Sequence, residues 1–256
     1  MSARKTLRET STTFSPFTGD VLLNNRVTNT ETYAYRKFGA NEFSAPLEYD
    51  VTADGMLVCL RINTGTSSST GPGQIWYADA TMTGSATVLT PIAETNFGCR
   101  WAADGKTIVY FSAPTPGRQE LYLVNITQPG VVRLLREPLT GTEEFDYFDV
   151  AQKTNTAVVG VRPSGSVIPD YYRVSLDAPG QSVKFATGTF LTGSTKLMLD
   201  PWGGTLIYAK TNTAHGGPGS IGQLRLKSSR IPEYDIPVSR ADGTAGVGQY
   251  SFVPAP

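Results

Sequence analysis

Along this chain apolar residues fall in short alternating runs separated by turn formers, and no long run shows the three-and-four spacing of an amphipathic helix. Residues 97–136 show the plan most clearly. Phe97–Trp101 reads as a strand, Ala103-Asp104-Gly105 as a tight turn and Thr107–Ser112 as a second strand. Pro114–Gly117 reads as a loop, Glu120–Asn125 as a third strand and Val131–Arg136 as a fourth. The turn follows from chemistry, because Asp-Gly supplies the positive φ that a two-residue hairpin needs.

The same plan recurs. Around Trp101 an apolar residue is followed by two small residues, Asp-Gly and a run of strand formers, and Gly55 and Gly105 mark two copies 50 residues apart. Looser copies start at Val51, Val150 and Leu199, an earlier one is Phe14-Ser15-Pro16-Phe17-Thr18-Gly19, and Phe252-Val253-Pro254 fits the start of a sixth. The strands predicted for the second unit are Glu48–Val51, Leu57–Ile62, Gln74–Asp79 and Ala86–Thr90. For the fourth they are Tyr147–Val150, Ala157–Val161, Tyr171–Leu176 and Ser182–Ala186. For the fifth they are Lys196–Leu199, Leu206–Lys210, Gln223–Lys227 and Tyr234–Val238. The first unit is compressed into Thr12–Phe14, Val21–Asn25, Thr32–Phe38 and a stretch near Phe43.

Four antiparallel strands per unit, repeated at this period, are the anatomy of a propeller. The expected fold is all-β, a single β-propeller over residues 1–256 with blades near 10–46, 47–92, 95–140, 145–190 and 195–240. Val247–Val253 is expected to close the ring by joining the N-terminal strands. Five blades are expected, or six if the two chain ends build separate blades.

Residues 99–125, with WAADGKTIVYFS followed by QELYLVN, resemble the repeat of TolB-type β-propellers, which also occurs in the propeller domains of prolyl oligopeptidase-like peptidases. The match is good there, fair at 49–79 and 199–227, and weak at 148–176, where Lys153-Thr154-Asn155 replaces Asp-Gly. The motif is turn and strand chemistry and carries no catalytic residue. The resemblance implies a protein-binding module; fold alone does not dictate function.

Composition narrows the field further. Twenty-two basic and 22 acidic residues cancel, so nothing electrostatic favours nucleic acid or an anionic membrane as partner. Met1–Arg8 is basic but has no apolar run behind it, so no signal peptide is expected. Localisation stays open between the compartment of synthesis and a virion-like assembly. Cys59 and Cys99 sit in apolar runs and are expected to be buried inert thiols, with a disulfide between neighbouring repeats open if their Cα atoms lie within about 7 Å. One histidine and two separated cysteines argue against zinc, and no cofactor is expected. No Gly-x-Ser-x-Gly elbow is present, which disfavours a serine peptidase. Asn125-Ile126-Thr127 fits a glycosylation acceptor, but its strand-end position is expected to be coincidence.

Two sets of positions are candidates for binding. The loops Asn63–Gly73, Ala113–Arg118, Pro163–Asp170 and Asn212–Gly222 are long, rich in Gly, Pro and Ser, and expected on one face. On or beside them stand Arg61, Trp76, Arg118, Asp170, Tyr171 and His215, with Trp76 and Tyr171 also fitting as packing residues between blades. The second set lines the expected channel: one position before each apolar landmark come Asp50, Arg100, Asp149 and Met198, with Asp200 nearby. Such charges either hold a polar ligand or satisfy one another, and the second is favoured. The expected function is a non-catalytic protein-binding or scaffolding propeller with a protein or peptide partner. The alternatives are a structural or adsorption component of a particle such as a phage virion, and a carbohydrate-active hydrolase using Asp50, Asp149 or Asp200 as acid and base.

Overall fold

The computed structural model describes residues 5–10, 20–25, 30–35, 43–63, 72–82, 84–91, 95–115, 118–139, 141–166, 169–187, 198–211, 222–228, 231 and 233–237. Every regular element among them is a β-strand. Two compact units divide the chain, Met1–Pro138 and Leu139–Pro256.

The first unit holds three antiparallel sheets. β1 (Lys5–Thr10), β2 (Asp20–Asn25) and β3 (Thr30–Tyr35) form a three-stranded sheet. β4 (Phe43–Val51), β5 (Leu57–Asn63), β6 (Gly73–Asp79) and β7 (Thr87–Val88) form the next, in sequence order. β8 (Thr95–Trp101), β9 (Thr107–Thr115), β10 (Arg118–Asn125) and β11 (Val132–Leu134) repeat that meander. The second unit contains two more four-stranded sheets. One is β12 (Glu144–Val150), β13 (Thr156–Arg162), β14 (Asp170–Ser175) and β15 (Ser182–Thr187). The other is β16 (Met198–Leu199), β17 (Thr205–Thr211), β18 (Gly222–Ser228) and β19 (Asp235–Pro237).

The fourfold meander matches the expectation in four of the five sheets. The first sheet differs. Its first described strand is Lys5–Thr10, which pairs Leu7 with Leu23, while Thr12–Phe14 lies outside the described residues. Phe43 belongs to the second sheet, opposite Asn63, and a register shift between Ser44 and Tyr49 lets β4 run on past Pro46. The closing strand expected at Val247–Val253 lies outside the described residues.

The Asp-Gly turns also differ in detail. Ala102 N–H donates to Thr107 O at 2.8 Å, so four residues and not two lie between the last hydrogen-bonded pair of the β8–β9 hairpin. Gly105 takes φ +62°, and Asp104 accepts from the amides of Lys106 and Thr107 at 2.8 Å each. One carboxylate therefore replaces the amide partners that a tighter hairpin would have supplied.

Apolar layers join neighbouring sheets. In the first unit Cys59, Ile75 and Leu89 of one sheet pack with Cys99, Trp101, Ile108, Tyr110 and Val124 of the next. In the second unit Ala151, Val158, Tyr171 and Ala186 pack with Leu199 and Leu206. Each large apolar side chain buried this way contributes about 1.5–3 kcal/mol. The outermost strands β7, β11 and β19 are only two or three residues long, which limits pairing with other chains at those edges.

Candidate functional site

Two of the carboxylates expected to line a channel hold neighbouring sheets together within each unit. Asp50, at the end of β4, accepts the backbone N–H of Trp101 at 2.9 Å through Oδ2, and Trp101 Nε1–H donates to Asp50 O at 3.2 Å. Asp149, at the same place in β12, accepts the N–H of Leu199 at 3.0 Å through Oδ2 and that of Val150 at 3.0 Å through Oδ1. The offsets, 51 and 50 residues, are each one more than the spacing of the landmarks, Val51 to Trp101 and Val150 to Leu199. In each case the aspartate before one landmark residue receives the amide of the landmark in the next sheet.

Electrostatics at Asp50 reflect this enclosure. Burial pushes its carboxyl above the usual carboxylate range, while the Arg100 charge and the amides of Trp101 and Val51 pull in the other direction. Arg100 Nη1 donates to Cys99 O at 2.8 Å. Asp200 serves its own turn, where Oδ1 accepts from Gly204 N at 2.7 Å and Thr205 N at 3.1 Å.

Each described loop-side candidate has its place in a sheet of its own unit. Arg61 lies in β5 opposite Ile75 with 1% of its surface exposed, so it is an interior residue. Trp76 is half-buried against Val58, Leu60 and Ile62. Tyr171 is buried in the core of the second unit. Asp170 pairs with Lys184 Nζ at 2.7 Å and accepts from Thr187 Oγ1 at 2.7 Å. Arg118 opens β10 opposite Thr115. His215, like most of the long loops, lies outside the described residues.

The glycosylation-like triplet has a structural explanation. Asn125 Oδ1 accepts from Thr127 N at 2.9 Å and Thr127 Oγ1 at 2.7 Å. Asp79, at the equivalent end of β6, makes the same pair of bonds to Thr81, at 2.7 and 2.6 Å. Asx-x-Thr is thus a turn device that closes the third strand in both sheets.

Sequence reasoning missed one surface feature. Trp202, in the β16–β17 turn, is 59% exposed, and Ile231 and Tyr234, in the β18–β19 connection, are 57% and 47% exposed. Pairing of Thr205 with Ser228 puts both connections at one end of the sheet. In the sequence Trp202 was legible only as part of a looser repeat copy, Leu199–Gly203.

No protein-family model and no curated protein matches the chain. Solved structures do. TolB from Acinetobacter baumannii is 17% identical over 92% of the chain, with a TM-score of 0.58. An oligogalacturonate lyase in complex with manganese is 11% identical over 87%, with a TM-score of 0.66. The β-propeller domain of the Trilobed protease from Pyrococcus furiosus is 11% identical over 96%, with a TM-score of 0.62. The chain spans 52%, 60% and 70% of those proteins. These likenesses show the fold, that of the TolB-like β-propellers. No helix of the described residues is long and apolar enough to cross a membrane.

Proposed function

We propose that this chain is a non-catalytic protein-binding or scaffolding β-propeller of five blades, closed by Val247–Val253, with a protein or peptide held on its long-loop face. The observation that carries the non-catalytic reading is the use made of Asp50 and Asp149. Each spends its carboxylate on the amide of the next sheet, where a general acid or base would have to face substrate. The TolB-like fold supports a protein partner, as the resemblance in the repeat already implied. Long loops on a stiff sheet scaffold are a usual place for such binding. The test is affinity capture of partners with the full chain and with a variant whose residues 64–71 and 212–221 are shortened to Gly-Ser linkers. Loss of a specific partner in that variant, with an unchanged melting curve, supports the reading.

One observation favours a second placement of the partner. Trp202, Ile231 and Tyr234 expose apolar surface at the opposite, short-turn end of the last sheet, and aromatic residues of this kind anchor interfaces. The carbohydrate-active alternative draws support from the likeness to oligogalacturonate lyase.

A further inference from the structure

Cys59 and Cys99 belong to different repeats and different sheets, yet they meet. Asp50 lies opposite Cys59 in the β4–β5 ladder, and its carboxylate holds the amide of Trp101, two residues beyond Cys99. That tie draws β5 and β8 together. Both cysteines are reduced thiols with no exposed surface, and they share one apolar cluster with Ile75, Leu89 and Ile108. The Cys59 thiol is hydrogen-bonded to that of Cys99. Burial first, and then the neighbouring thiol, push the Cys59 pKa well above its ordinary value, so the thiolate is scarce in the folded protein.

We propose that Cys59 and Cys99 are a latent redox lock: under oxidising conditions they form a disulfide that ties the sheet β4–β7 to the sheet β8–β11. The oxidant is a low-molecular-weight disulfide such as oxidised glutathione. One cysteine thiolate attacks it, forming a mixed disulfide and releasing one glutathione thiolate. The second cysteine attacks the protein sulfur of that mixed disulfide and releases the other. Two protein thiols are oxidised, one glutathione disulfide is reduced to two thiols, and the two cysteine protons pass to the departing thiolates. The apolar cluster leaves the mixed disulfide no place, so exchange occurs while the two sheets are apart and the finished bridge is protected once they close. In a reducing compartment the same sheets are held by packing, by the Asp50–Trp101 bonds and by the Gly130 N–H donating to Leu89 O at 2.8 Å.

The test is to refold the full chain from guanidinium in a glutathione redox buffer, and in parallel with dithiothreitol. Folded material is then alkylated, digested with trypsin without reduction and mapped by mass spectrometry. The expected product links residues 38–61 to residues 62–100, since cleavage falls after Lys37, Arg61 and Arg100. Closing a loop of this length should raise Tm by several degrees, up to roughly 10 °C. The increment should vanish in C59A and C99A. Folded protein that carries both thiols reduced, or only glutathione adducts or intermolecular dimers, overturns the proposal. So does a Tm increment that persists in the alanine variants.

Discussion

Asp50 and Trp101 are joined twice, by a 2.9 Å bond from the Trp101 amide to the Asp50 carboxylate and a 3.2 Å bond from the indole N–H to the Asp50 carbonyl. The pair spans two sheets, and Asp149 with Leu199 reproduces its first half in the second unit. Removing the acceptor strands a buried amide, which costs about 1–3 kcal/mol. D50A and D149A should each lose roughly that much in denaturant unfolding. D50N and D149N keep an oxygen in place and should stay within about 1 kcal/mol of the parent.

Protonation gives Asp50 a second signature. Its pKa in the folded protein lies above the unfolded value, so the folded state binds more protons and stability falls as pH rises from about 4 through the folded pKa. D50N lacks this slope. Urea midpoints of the parent and D50N, measured from pH 4 to pH 8, should diverge in favour of D50N as pH rises and converge toward pH 4.

Gly203 and Gly105 separate backbone strain from crowding. Both have positive φ, +68° and +62°. A Cβ on Gly105 meets nothing nearer than Thr52 Cγ2 at 4.0 Å, whereas on Gly203 it would meet Thr154 Oγ1 and Thr156 Cβ at 3.1 Å and Ala151 Cβ at 3.2 Å. There the turns of two sheets touch, with Lys153 N–H donating to Pro201 O at 2.7 Å and Thr154 Oγ1–H to Trp202 O at 3.0 Å. G105A should cost about 1–2 kcal/mol for the left-handed conformation alone. G203A should cost more, as thermal unfolding of the two variants will show.

Trp202 and Tyr234 offer a clean test of the short-turn surface. Both are about half exposed or more, so W202S and Y234S should change stability by no more than about 1 kcal/mol. A partner seated at that end would lose affinity at least tenfold in titration calorimetry with either variant; a partner on the long loops would not respond.

The repeat made most strands readable because β-strand alternation and the Asp-Gly turn are local signals. Leu57–Asn63 and Gly73–Asp79, for instance, fall within a residue of the expected strands. Lys5–Thr10 gave no such signal: five of its six residues are charged or Thr, and its partner Asp20–Asn25 follows a connection that imitates a repeat copy. Pro46 hid the start of β4 for a similar reason. Asp50 and Asp149 were found by counting repeats. Their roles were not, because a carboxylate's partner 51 residues away depends on how two sheets stack, which no local pattern encodes. Arg61 looked like a loop-side residue for the same reason and is buried in a strand where β9 carries Phe111.

The most direct measurement is partner affinity, together with polysaccharide cleavage, of the double variant D50N/D149N beside the loop-shortened variant. The account predicts no cleavage by the parent, parent-like affinity in D50N/D149N, and affinity lost at least tenfold on shortening residues 64–71 and 212–221. A parent that cleaves a polysaccharide, with cleavage abolished in a folded D50N/D149N protein, would contradict it.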